Sequence, residues 1–90
     1  MFEIIEIHQE GGTGHEHITK YKWKSTTDGK IDISDRPQMV TYVEQHPKTV
    51  FVQDKKGKVD VVVINGPTYK YLKTVADGRY TDNLLYLPRF

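Results

Sequence analysis

The chain has 90 residues, 13 Lys or Arg against 12 Asp or Glu, a net charge of +1 and no cysteine. That length makes one domain, residues 1–90, and leaves no room for two lobes closing on a large substrate. Without cysteine there are no disulfides, Cys-ligated zinc, iron–sulfur clusters or thiol chemistry. No apolar run approaches the ~18–20 residues of a membrane span, and the acidic start Met-Phe-Glu-Ile-Ile-Glu is unlike a secretory leader, so a cytoplasmic protein is expected.

Residues 2–8 are rich in Ile and read as a strand. Residues 9–14 follow as a loop, because Gly11, Gly12 and Gly14 resist regular structure. Over residues 17–25 the pattern alternates: Thr19, Tyr21 and Trp23 point one way, and Lys20, Lys22 and Lys24 the other. That is the period of a half-buried strand with an aromatic core face and a lysine face. Asp28-Gly29 marks a turn, and residues 31–33 make a short strand. Ser34 then reads as a helix N-cap, with Asp35 and Pro37 in the first turn. Met39, Tyr42, Val43 and His46 share one helical face, and Pro47 ends the helix.

Residues 49–53 form a β-branched strand, and residues 54–58 a lysine-rich hairpin loop. Residues 59–64 are almost wholly apolar, as in a central strand covered on both faces. Asn65-Gly66-Pro67 turns the chain, and residues 69–74 form a further strand. The segment after Val75 is too apolar to float free and is expected to dock on the sheet. The expectation is α+β: a small, mostly antiparallel sheet of about five strands, one helix on one face and a docked C-terminal tail. Trp23, Tyr42 and Phe51 are expected to fill the core.

Two segments carry a family resemblance. Gly11-Gly12-Thr13-Gly14-His15-Glu16-His17-Ile18-Thr19 resembles a G-x-T-x-H-E-H-I-T opening. Tyr71-Leu72-Lys73-Thr74, Asp77-Gly78 and Asn83-Leu84-Leu85-Tyr86-Leu87-Pro88-Arg89-Phe90 resemble a Y-L-R/K-T-x-x-D-G … N-L-x-x-L-P-x-F close. Both belong to the bacterial and phage group of domains of unknown function numbered 3892. The resemblance implies one small domain, points to phages or other mobile elements, and transfers no catalytic residue.

Four constellations bear on function. His15 and His17, on a strand, would project from one face and reach one metal ion; a zinc site would need further ligands from His8, His46 or a carboxylate. The alternative puts His17 under the core aromatics. The glycine loop lacks the Gly-Lys-Ser/Thr ending of a phosphate loop and leads into a strand, so it reads as a β–β connection.

Third is the lysine comb of Lys20, Lys22 and Lys24, about 7 Å apart and near the phosphate spacing of a nucleic-acid strand. Lys55, Lys56 and Lys58 at a hairpin tip extend it, with Tyr69, Tyr71 and Tyr80 as stacking surfaces. The alternative is a solvated strand face. Fourth are the tail groups Asp77, Asp82 and Asn83, with Asp60: a magnesium-binding set only if they converge, and otherwise turn and cap chemistry. No Ser/His/Asp order suggests a triad.

By subtraction, a non-enzymatic binding module without a cofactor is expected. A protein partner or self-association is favoured, in the setting of a phage-borne modulator of a host protein. Nucleic acid is the alternative, and a metal-dependent hydrolase using His15 and His17 comes third.

Overall fold

The computed structural model describes residues 1–90. Half of the chain forms strands: β1 (Phe2–Gln9), β2 (Ile18–Ser25), β3 (Ile31–Asp35), β4 (Val50–Asp54), β5 (Gly57–Asn65), β6 (Lys70–Ala76) and β7 (Arg79–Thr81). One helix, α1 (Arg36–Gln45), separates β3 from β4, and short 3-10 turns occupy His15–His17 and Asn83–Tyr86. The strands form one sheet in the order β3-β2-β1-β4-β5-β6-β7. Neighbours are antiparallel except β1 and β4, which run parallel where Phe2 meets Val50 and Glu3 meets Phe51.

The α+β class and the single helix match the expectation. The sheet does not: it is mixed and has seven strands. Residues 79–81, expected within the tail, fold back on β6 through the Asp77-Gly78 turn. The parallel joint brings together segments separated by β2, β3 and α1, and local pattern carries no signal of such a pairing.

Register decides which side chains are buried. A bulge at Ile5 shifts β1 between Ile4 and Glu6, so Ile4 and Ile7 both face inward, opposite Trp23 and Tyr21. They share a core with Ile18, Val50, Val61 and Leu72, and α1 covers it with Met39, Val40 and Val43. Tyr21, wholly buried, is the central aromatic. Trp23 and Tyr42 are only half-buried and pack around Phe2, at 5.0 and 5.3 Å between rings. Phe51 is buried outside the core cluster, on the opposite face, under the Lys58 ammonium. β5 is not covered on both faces: Val59 and Val61 are buried, whereas Val62 and Ile64 are half-exposed.

The helix begins one residue later than expected. Ser34 remains in β3, where its hydroxyl accepts from Trp23 Nε1 at 3.0 Å. Asp35 caps instead: its carboxylate accepts the Gln38 N–H, and the Gln38 amide oxygen accepts the Asp35 N–H. This reciprocal box, with Pro37 in the first turn, fixes the helix start.

The C-terminal segment docks, as expected, in an unexpected way. The Ile7 N–H donates to Pro88 O and the Phe90 N–H to Ile7 O, both at 3.0 Å. The tail thereby continues the edge of β1 that β4 leaves, and Leu84 of the Asn83–Tyr86 turn is wholly buried in the core.

The Tyr21 hydroxyl is buried beside the Leu72 backbone but makes no hydrogen bond of normal geometry. A buried unmet hydroxyl costs stability, whereas removing it costs little. Tyr21→Phe is therefore expected to leave stability unchanged or raise it, and Tyr21→Ala to lower it by about 3–5 kcal/mol. Urea unfolding checks both; a loss above ~1 kcal/mol in Tyr21→Phe would show that the hydroxyl is bonded.

Candidate functional site

Two hairpin tips and a 3-10 turn enclose an open groove of about 920 Å³. The β4–β5 tip supplies Asp54, Lys55 and Lys56, the β6–β7 tip supplies Asp77, Arg79 and Tyr80, and the turn supplies Asn83 and Tyr86. Each part has a local cause. Asp54 accepts the Lys56 N–H at 2.7 Å, closing the first tip as an Asx turn. Asp77 and Gly78, at φ +54° and +75°, close the second. Asn83 reaches across to the Asp54 carboxylate at 3.4 Å and ties the turn to the first tip.

Tyr80 and Tyr86 are 64% and 79% exposed, the two most exposed large apolar side chains of the protein. Lys55, Lys56 and Arg79 take part in no salt bridge. The groove thus combines cations outside any ion pair with largely exposed aromatic rings, of which Tyr80 has Lys73 Nζ 5.8 Å from its centre.

The comb of Lys20, Lys22 and Lys24 does form one strand face, but carboxylates stand opposite it. Register places Glu3 against Lys24, Glu6 against Lys22 and Asp35 against Lys20. Lys22 Nζ lies 3.4 Å from Glu6 and 5.0 Å from the centre of the Phe90 ring. Lys58 is spent on Phe51. Of the lysines singled out, the groove brings together Lys55 and Lys56.

Tyr69 and Tyr71 are used internally. The Tyr69 hydroxyl donates to Glu16 O at 2.6 Å, and the Arg36 guanidinium lies 4.0 Å from the centre of its ring. Arg36 also donates to Glu16 O and Ile18 O, fastening the β1–β2 loop to α1 and β6. Tyr71 packs against Gly66, where a Cβ would stand 2.9 Å from its ring.

His15 and His17 lie on a 3-10 turn and not on a strand, so they do not share a face. His15, 5% exposed, is the buried one, in place of His17. The His17 ring lies over Gly12, where a Cβ would meet it at 2.4 Å, so the glycine loop is shaped by close approach to a side chain. No group of three His, Asp or Glu side chains gathers as metal ligands, and Asp60, Asp77 and Asp82 do not converge.

His15 Nε2 has no hydrogen-bond partner, and the Asp82 carboxylate is 3.9 Å away. Burial, helped by the charge of Lys73, lowers its pKa; Asp82 and Glu16 pull the other way.

Residues 3–88 match the family described as protein of unknown function (DUF3892), and the chain belongs to that family. Neither a curated protein nor a solved structure matches it. No helix is long and apolar enough to cross a membrane.

Because the folded chain holds His15 neutral, the unfolded chain takes up its proton first as pH falls below about 6.5. Stability from this group is complete above that pH and lost below it. Wild-type protein is expected to lose stability between pH 7 and 5 more steeply than His15→Gln, in urea titrations at each pH. Parallel curves would show that His15 does not titrate with folding.

Proposed function

We propose that this DUF3892 domain is a small, non-enzymatic binding module that recognises a protein partner through the groove between its two hairpin tips. The observation that carries the reading is the exposure of Tyr80 and Tyr86 beside unpaired Lys55, Lys56 and Arg79. Tyr and Arg are enriched where interfaces concentrate their binding free energy. An uncovered tyrosine ring loses its water-facing area only when something binds. In the setting that the family resemblance implies, the partner would be a host protein modulated by a phage or mobile element.

A second reading places single-stranded nucleic acid in the same groove, with the tyrosines stacking on bases. A continuous phosphate chain would have to pass both Asp54 and Asp77 in its walls, whereas a peptide can set its few carboxylates against the cations alone, which is why the protein reading leads. The hydrolase reading loses its support, since His15 and His17 face apart with no third ligand beside them.

Crosslinked capture from a bacterial lysate tests the assignment. Tyr80→Ala/Tyr86→Ala is expected to reduce the species captured by wild type at least tenfold, while Lys20→Glu/Lys22→Glu retains it. Circular dichroism confirms that both variants fold. Capture unaffected by the tyrosine changes would overturn the groove as the interface. Anisotropy of labelled oligonucleotides decides the second reading, which requires affinity that falls steeply with salt.

A further inference from the structure

β7 is an edge strand that keeps one backbone donor and one acceptor open. Ala76 faces Arg79 across a turn whose two residues, Asp77 and Gly78, both have positive φ. That is a two-residue hairpin of the I′ type, in which the flanking pair exchanges both of its backbone hydrogen bonds. Alternation makes Val75 and Tyr80 the next pair, with no mutual hydrogen bonds. The Tyr80 N–H and C=O therefore point away from β6, and no strand lies beyond β7.

The opposite edge of the sheet is blunted. In β3 the Ile33 N–H is taken by the Asp32 carboxylate at 2.8 Å. β7 has no such guard, and all three of its residues line the groove. The charge there is unequal. Lys55, Lys56 and Arg79 outnumber Asp54 and Asp77; Asp54 is committed to the Lys56 N–H and to Asn83, and none of the three cations is in an ion pair.

We infer that the groove takes an extended acidic peptide, which adds to β7 as an eighth strand through the Tyr80 N–H and C=O and sets its carboxylates against Lys55, Lys56 and Arg79. This rests on the groove being the interface and names its occupant. Strand addition supplies main-chain hydrogen bonds, and side-chain contacts supply selectivity. On a three-residue edge the main-chain share is small, so the cations and the Tyr80 and Tyr86 rings carry most of the recognition.

The test is selection from a random dodecapeptide display library on the full chain at low salt, with Lys55→Glu/Lys56→Glu/Arg79→Glu as counter-selection. A synthetic consensus peptide then serves for NMR hydrogen exchange. Enriched peptides are expected to carry an excess of Asp and Glu and to bind the charge-reversed variant at least tenfold more weakly. Binding is expected to slow exchange of the Tyr80 amide at least tenfold.

Neutral or basic enriched peptides, or no enrichment at all, would overturn the inference, as would oligothymidine binding in place of peptide. If Tyr80→Ala/Tyr86→Ala abolishes binding but the wild-type Tyr80 amide exchanges at its free rate, strand addition falls and the groove stands. If that double variant binds the peptide with full affinity, the groove reading itself falls.

Discussion

On one edge of β1, Phe2 and Glu3 pair with β4, while Ile7 exchanges hydrogen bonds with Pro88 and Phe90. Two segments cannot occupy one edge at the same level, so β4 diverges from β1 and leaves a wedge that must be filled. The Asn83–Tyr86 turn contacts both strands there, with Leu84 wholly buried in the core and Leu85 and Leu87 packed against it. Fixing the tail at Ile7 and the β6–β7 hairpin beyond the wedge forces the Asn83–Tyr86 turn across the end of the sheet. With its leucines turned inward, Tyr86 is left facing out. The groove is thus a consequence of how β1 shares its edge, and not an accident of loop length.

The opposite end of β6 is closed by different means. Arg36 stacks on Tyr69 and donates to Glu16 O in the β1–β2 loop and to Ile18 O at the start of β2, and the Tyr69 hydroxyl reaches Glu16 O as well. A cation over an aromatic ring contributes about 0.5–2 kcal/mol. Here the same groups also satisfy backbone acceptors that a glycine-rich loop would otherwise present to water. One end of the molecule therefore spends its aromatic and cationic groups on its own backbone. The groove end leaves Tyr86, Lys55, Lys56 and Arg79 unspent, and Tyr80 has only the distant Lys73 ammonium, 5.8 Å from its ring centre.

What the sequence reveals of this follows the range of each interaction. The β2 alternation, the helix and the Asp28-Gly29 turn are local, and they are readable within one residue or so. The helix start moves from Ser34 to Asp35 because Trp23, eleven residues away, claims the Ser34 hydroxyl. The lysine face of β2 is legible, but the ion pair within it is not, because Glu6 reaches Lys22 only through a register set by the bulge at Ile5. Lys55 and Lys56 can be named from the hairpin pattern. Their union with Arg79, Tyr80 and Tyr86 depends on the wedge, which no local period encodes. Within the tail, Asp77-Gly78 was the available hairpin signal, and Tyr86, the one aromatic in an otherwise aliphatic run, was the available exposure signal.

The two lysine groups also differ in what a ligand would gain from them. A ligand anion approaching Lys22 must displace or crowd Glu6, already 3.4 Å away, exchanging one ion pair for another of similar strength. An anion approaching Lys55, Lys56 or Arg79 breaks no ion pair, although Asp54 and Asp77 share the groove, and it binds between walls that exclude part of the solvent, where the attraction is less screened. The count of lysines favours the strand face, but the difference in free energy between bound and free favours the groove. Affinity follows that difference, so the basic residues that matter are those gathered in a concavity and outside any ion pair.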